Sequence, residues 1–481
     1  MDRPADAERL TLGTLPDSVV AVLARLRDAG HEAVLVGGTV RDAILRAEDS
    51  EAGGVVPADW DAATSADPET VAGLFPGSSW ENRFGTVTVL GEPPVEVTSF
   101  RAEGAYRDAR RPDDVRFGVS LVEDLGRRDF TINALAWAPI QLVAGIGRLV
   151  DPHGGRQDLR QRVLRAVGDP RRRFSEDALR LVRAARFAGR LDLEIEPATE
   201  TAIRDLAPSV ATVSGERLRD ELQRMLAHPR PSAALRLLER LGLLGVVLPE
   251  VATLRGVPQT KRVPGDALDH TLAAVDAAPP EPSTVRVAAL LHDIGKATTG
   301  GDGHFLGHDR VGAVLARTVM ERLRFPRQDV NAVVAAIAHH MYGYEASWSD
   351  AAVRRFVRRL HGTDRSLLFA LRRADDAASG AAEEGAAIQD ALEARVEREI
   401  AAQPSLLLQR RRIAIDGHDL QRDLGIAPGP ELGRILDALV DFAIEDPSRN
   451  VRATLLAQAA ALARQAVTRR TDDAERPGPE G

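Results

Sequence analysis

Apolar residues recur three and four positions apart between Asp17 and Asp28, at Val19, Val20, Val22, Leu23 and Leu26, which predicts a helix that stops at Gly30. The short apolar run Ala33–Val36 ends at Gly37-Gly38 and reads as a strand. Thr86–Leu90 and Val95–Thr98 read as two more, parted by Gly91 and Pro93-Pro94. From Leu159 the pattern becomes helical, with Leu179, Val182, Ala185 and Phe187 on one spacing and Leu218, Leu222, Met225 and Leu226 on another. Proline-containing stretches at Val257–Pro264 and Pro279–Pro282 break it, placing a boundary near residue 260. The expected order is an N-terminal helix within 1–32, an α+β head over 33–158, a helical neck over 159–260, a second helical domain over 261–400 and a helical C-terminal region over 401–468. Ala374–Ala402 reads as a helix or a mobile linker, and the polar stretch Arg469–Gly481 as a disordered tail.

Length supports several cores in series, because 481 residues exceed two to four times one ordinary domain. Hydrophobic residues at 44% and charged residues at 28% match an average soluble protein, and no run approaches the roughly 18 apolar residues of a membrane span. The opening MDRPADAERL has neither a basic region nor an apolar core, so no leader is expected and the cytoplasm is the expected compartment. The absence of cysteine excludes disulfides and thiolate sites.

A net charge of -8 argues against general coating of nucleic acid, but the charge is uneven. Between Arg160 and Arg190 ten arginines face only Asp169, Glu176 and Asp177, a candidate polyanion site. Of the 63 basic residues only Lys261 and Lys296 are lysines.

Two glycines after a strand, in Gly37-Gly38-Thr39-Val40-Arg41-Asp42, let backbone amides approach a ligand just before a helix N-terminus that favours phosphate. Farther on, Asp59-Trp60-Asp61 puts two carboxylates on one strand face, and Glu96 projects between Val95 and Val97. Like charges held so closely need a cation. Asp59, Asp61 and Glu96 together suit two Mg²⁺ ions, which also bridge substrate phosphates. Two solvated aspartates on an edge strand explain an isolated D-x-D as well.

These motifs, followed by Tyr106-Arg107-Asp108-Ala109-Arg110-Arg111-Pro112, Leu121-Val122-Glu123-Asp124-Leu125 and Arg127-Arg128-Asp129-Phe130-Thr131-Ile132-Asn133-Ala134-Leu135, resemble class II tRNA nucleotidyltransferases and bacterial poly(A) polymerases over residues from about 33 to 260. The resemblance implies a polymerase-β-like nucleotidyltransferase head with a mixed sheet, then an all-helical neck and body. It assigns metal binding to Asp59 and Asp61, with Glu96 as the third ligand. Gly37, Gly38, Arg41, Arg128, Asp129 and Asn133 are expected at the incoming nucleotide. Glu176-Asp177-Ala178-Leu179-Arg180 spaces Asp177 and Arg180 at i and i+3, on one helix face, where a surface ion pair is the plain reading. The resemblance instead makes them the readers of the base: a carboxylate accepts from the exocyclic amine of C or A, and a guanidinium donates to a ring nitrogen or to the cytosine carbonyl. Val213-Ser214-Gly215-Glu216-Arg217-Leu218-Arg219-Asp220-Glu221-Leu222 resembles the segment that braces this helix, and a capped helix start at Ser214 explains it equally.

The second helical domain gathers His270, His292-Asp293, His308, His339-His340 and Asp375 out of 11 histidines in the chain. Leu290-Leu291-His292-Asp293-Ile294-Gly295-Lys296 resembles the signature of HD-domain phosphohydrolases, with the other residues in that family's order and either His339 or His340 as a ligand. Imidazoles with a bridging aspartate suit Mn, Ni, Co or Zn.

The function these readings imply is template-independent addition of CCA to tRNA 3′ ends from CTP and ATP. Expected partners are tRNA and the two nucleotides, with no membrane and no protein partner. Poly(A) addition is the alternative within the family, disfavoured by Glu81-Asn82-Arg83-Phe84-Gly85-Thr86-Val87, which lacks an arginine-pair and histidine pattern. An HD phosphohydrolase with an RNA-binding N-terminal module is the alternative of another class. The sixteen residues Ala43–Ala58 between the first motif and the D-x-D exceed the family's usual spacing.

Overall fold

A computed structural model describes residues 9–48, 60–81, 85–103, 115–259, 261–300, 305–404 and 413–474. Asp59, most of the Ala43–Ala58 connection, the Tyr106–Pro112 motif and Asn82–Phe84 lie outside the described residues. The chain divides into two compact units, residues 1–252 with 322–324 and residues 253–321 with 325–481.

The first unit is built on a mixed sheet. Its strands are β1 (Arg9–Thr11), β2 (Ala33–Val36), β3 (Trp60–Thr64), β4 (Ser79–Glu81), β5 (Thr86–Val89), β6 (Val95–Ser99), β9 (Ala136–Gln141) and β10 (Ile146–Val150), while β7 (Arg101–Glu103) and β8 (Val115–Phe117) form a separate hairpin. The sheet order is β1-β10-β9-β2-β3-β6-β5-β4. Only β3 and β6 run parallel, and their register sets Asp61 beside Glu96. β2 is buried at all four positions because it lies near the sheet's centre, with β9 on one side and β3 on the other. The helix Asp17–Asp28 covers the sheet with Val19, Val22, Leu23 and Leu26, the expected stripe. The N-terminal region also contributes β1, which sequence reasoning did not foresee: three residues add an edge strand, and Trp137 Nε1 donates to Leu10 O at 2.9 Å.

After β10 the described residues of the unit are helical except for a parallel pair, β11 (Val163–Leu164) with β12 (Glu194–Ile195). Its helices Leu179–Leu191 and Gly215–Leu226 carry the charged residues of the site. Ser214 precedes the second of these without a side-chain cap, so capping does not account for that motif.

The second unit contains no strand among the described residues, and its elements are helices. One core joins Tyr342, Val353 and Phe356 to Leu392, Leu439, Ile444 and Leu455, running across the expected boundary near residue 400. The alanine-rich stretch resolves into two helices, Arg365–Ala378 and Ala382–Ala402, parted at Gly380 with φ +79°. The expected tail from Arg469 is helical as far as Ala474, the end of the helix Arg452–Ala474.

Candidate functional site

A cleft of about 950 Å³ in the first unit is lined by ten arginines and four carboxylates, a composition that fits a polyanion better than a neutral ligand. Gly37 forms its floor. With φ +66° it turns the chain out of β2, its N–H donates to Leu135 O at 3.0 Å, and a Cβ there would lie 3.0 Å from Arg128 Nη1 and 3.7 Å from Asp61 Oδ2. Glycine is required twice over, by the backbone and by the close approach of cation and carboxylate. Asp61 is half-buried, its N–H donating to Thr39 Oγ1 at 3.3 Å, while Glu96 is exposed on the neighbouring strand. Carboxylates from adjacent strands are a hard oxygen donor set of the kind that Mg²⁺ takes.

The 3₁₀ turn Thr131–Asn133 and the residues before it supply the opposite wall. Arg128 Nη1 donates to Asn133 O at 3.4 Å, and Arg41 Nη1 donates to Asn133 Oδ1 at 2.7 Å. Asp129 accepts from its neighbour Phe130 N and from Asn133 Nδ2 on one oxygen, and from Arg183 Nε at 2.8 Å on the other. Burial works to raise its pKa, but Arg183 and Asn133 outweigh it and hold the carboxyl well below the usual carboxylate range. Arg183 also meets Glu221, which is 1% exposed and accepts from Arg186 Nε at 2.5 Å and from Arg224 Nη1 at 3.0 Å. Arg41, Asn133, Asp129, Arg183, Glu221 and Arg186 thus form one polar chain, buried except at the half-buried Arg183.

Asp177 and Arg180 both line the cleft, but not as an ion pair on one helix face. Asp177 has extended dihedrals (φ -151°, ψ 104°) and separates the helix Pro170–Glu176 from Leu179–Leu191. Its side chain accepts from Leu179 N, a local bond of the kind that competes with helical continuity. Asp177 is paired with Arg217 Nη2 at 2.7 Å, and Arg180 donates to Glu176 Oε2 at 2.8 Å and to the carbonyls of Arg173 and Arg127. Sequence reasoning counted Arg183 and Arg186 only within the arginine-rich stretch and read Arg217 as structural, giving none of the three its own role in the site. The signal was present in the spacing of 183, 186 and 190 on one helix and of 217, 221 and 224 on the next.

The second unit holds a separate cluster. His270 Nε2 lies 2.9 Å from Asp375 Oδ1, His292 Nε2 lies 3.2 Å from Asp293 Oδ2, and His308 Nε2 lies 3.5 Å from Asp293 Oδ1. Two groups that can each hold a metal ion share Asp293: His270 with His292, and His308 with His340. The rings of His292, His308 and His340 use Nδ1 on the carbonyls of Ala289, Phe305 and Ile337. Their buried Nε2 atoms have no hydrogen-bond partner. A neutral imidazole whose Nδ1–H donates to a carbonyl presents its Nε2 lone pair, the usual preparation of a metal ligand. His340 is pushed down to about 4 by burial and by His292, so it is neutral near pH 7. His339 lies outside the cluster: its Nδ1 turns to Ala335 O and Thr363 Oγ1, because it points off the opposite side of the helix end.

The sequence signature described as "Poly A polymerase head domain" matches residues 33–165, "Probable RNA and SrmB- binding site of polymerase A" matches 192–254, and "HD domain" matches 266–394. The A-adding tRNA nucleotidyltransferase of Deinococcus radiodurans is 35% identical over 437 residues, covering 85% of this chain and 91% of that protein. The chain belongs to the tRNA nucleotidyltransferase and poly(A) polymerase family. Among the nucleotidyltransferases, the CCA-adding enzyme of Geobacillus stearothermophilus is 42% identical over 226 residues, 47% of this chain and 52% of that one. The chain thus spans about half the length of the curated CCA-adding relatives it matches. The crystal structure of the Bacillus stearothermophilus CCA-adding enzyme in complex with CTP superposes with a TM-score of 0.65 at 27% identity, covering 95% of this chain and 98% of that one.

Proposed function

We propose that this nucleotidyltransferase adds CCA to tRNA 3′ ends from CTP and ATP, releasing pyrophosphate. The observation that carries the reading is the single cleft in which the Asp61–Glu96 pair, the arginine wall and the Asp177–Arg217 pair meet, with room for one nucleoside triphosphate and an RNA end. The likeness to a CCA-adding enzyme complexed with CTP supports it.

The RNA 3′-hydroxyl forms a bond to the α-phosphorus while the bond to pyrophosphate breaks, so the protein's work is positioning and charge stabilisation. Asp61 and Glu96, with Asp59, would hold Mg²⁺, which supplies Lewis-acid stabilisation of the attacking and leaving oxygens. Arg128 and the amides near Gly37 and Gly38 hold the triphosphate, and Asn133, oriented by Arg41 and Asp129, takes the sugar. Asp177 and Arg180 read the base edge, turning from Arg217 and Glu176 to do so. The buried histidine–aspartate cluster would hold a transition metal through the orphaned Nε2 atoms and Asp293, and that metal would supply activation of a water molecule for phosphoester hydrolysis. No helix among the described residues is long and apolar enough to cross a membrane, and we assign the activity to the cytoplasm.

A second reading is addition of the terminal A alone, favoured by the name of the relative aligned over nearly its whole length. tRNA transcripts ending before the first C, after C and after CC, each incubated with single nucleotides, separate the two. CCA addition requires CMP incorporation on the first two and AMP on the third. Incorporation of AMP on the third alone selects the second reading, and long A tracts on unrelated RNA would refute both.

A further inference from the structure

The two lysines of this arginine-dominated chain stand at the two aspartates of the histidine cluster. Lys296 Nζ is 2.5 Å from Asp293 Oδ2 and also donates to Gln259 Oε1 at 2.9 Å. Lys261 Nζ is 3.5 Å from Asp375 Oδ1 and 2.9 Å from Ser379 Oγ. Lys296 belongs to the helical domain's own signature. Lys261 does not, since it precedes the matched residues 266–394 on the connecting segment.

That segment is held in place. Arg262 pairs with Glu384 at 3.1 Å, and a Cβ at Gly380 would meet Arg262 Cβ at 3.1 Å and Val263 Cγ2 at 3.2 Å. Lys261 is itself exposed, yet its ammonium reaches a carboxylate that is 5% exposed, so it marks the side on which the cluster meets solvent. Between this segment and His270 remains a cavity of about 20 Å³, room for about one water. A phosphate does not fit there while Lys261 and its segment keep these positions.

We propose that Lys261 is a phosphate-contacting residue of the histidine–aspartate site, resting on Asp375 until a divalent metal takes that carboxylate and then turning to the anion of a bound phosphoester. The proposal rests on the metal reading given above. A cation bound at Asp375 repels an ammonium 3.5 Å from the same oxygen, and the released ammonium, on a flexible four-carbon stem at the mouth, is a ready partner for phosphate. Arg372 Nη1 already holds the other oxygen of Asp375 at 3.2 Å, so Lys261, a single flexible ammonium on Oδ1, can leave without stranding the carboxylate.

The test uses the full chain in excess Mg²⁺, which fills oxygen-ligand sites, with a His292→Ala, Asp293→Ala double variant as the blank. Calorimetric titration with Mn²⁺, and then with inorganic phosphate in the Mn²⁺-loaded protein, compares the parent with Lys261→Met. Loss of the ammonium should weaken phosphate by about tenfold or more. Mn²⁺ affinity should hold or rise, by up to about fivefold. Unchanged phosphate affinity would overturn the proposal, and so would weaker Mn²⁺ binding, which makes Lys261 a brace for Asp375. A parent that takes up no Mn²⁺ above the blank refutes the metal reading itself, and the proposal with it.

Discussion

Arg183 reaches Asp129 across 54 positions of sequence, its Nε 2.8 Å from Oδ2, and so ties the helix that carries Arg180 to the turn that carries Asn133. Asp129 is buried and Arg183 half-buried, and the pair is completed by Asn133 on the acid and Glu221 on the base.

Asp129→Asn should therefore destabilise the first unit by about 3 kcal/mol, because it strands a guanidinium among buried groups. The folded carboxyl lies below its unfolded value, so its contribution is complete above the unfolded pKa and is lost as pH falls through the folded one. In urea titrations followed by tryptophan fluorescence, the difference between parent and variant should be constant from about pH 8 to 5 and shrink only below about pH 4. A difference that already shrinks between pH 7 and 6 would contradict the assignment.

Asp61→Ala should lower nucleotide incorporation below about 1% of the parent, since metal stabilisation of the transferring phosphoryl group is worth several kcal/mol. Asp61 is half-buried on a strand whose apolar residues stay in place, so the melting temperature should barely move. Asp59→Ala should behave alike, and Glu96→Gln should cost less. Single-turnover incorporation with Mg²⁺ as sole metal checks all three.

Asp177→Ala and Arg180→Ala should relax the choice of base more than they slow the reaction, because a site of paired hydrogen-bonding groups rejects a wrong edge by leaving those groups unpaired. Arg217→Ala releases Asp177 from its ion pair and should shift the ratio of CTP to UTP use by about tenfold or more. Equal discrimination in all three variants would place base reading elsewhere.

His292→Ala combined with Asp293→Ala should remove any tightly bound transition metal and any hydrolysis of small phosphomonoesters or 2′,3′-cyclic phosphates. Mg²⁺-dependent addition of CMP and AMP should persist, because the head's ligand set lies in the other compact unit. Elemental analysis of the purified proteins supplies a readout independent of activity.

Local pattern made much of this molecule legible. The helix Asp17–Asp28 and the strand Ala33–Val36 appear with the bounds their apolar spacing predicts, since each buries a simple stripe or run. The pairing of β3 with β6 was not legible: D-x-D and Glu96 each indicate a strand face, but only register brings Asp61 beside Glu96. Asp177 misled because i, i+3 spacing presumes an unbroken helix, and Asp177 is the extended residue at which the helix breaks, its side chain bonding Leu179 N. Glu221 lay in a motif that reads as a plain amphipathic helix start, and its burial among Arg183, Arg186 and Arg224 depends on helices that sequence alone does not juxtapose. His339 and His340 are adjacent, and only the helix end settles which ring turns inward.

The polar chain from Asn133 through Asp129 and Arg183 to Glu221 also divides the protein's response to ionic strength. Exposed arginines such as Arg171 and Arg172, paired only at the surface with Asp205 and Glu176, lie open to counterions, so the proposed binding of RNA should weaken as salt rises if it draws on them. The buried links are shielded from the ionic atmosphere, whose reach is about 10 Å at 0.1 M but which acts through solvent. Salt should thus weaken the proposed encounter with RNA while leaving untouched the fixed spacing between the helix that carries Arg180 and the turn that carries Asn133.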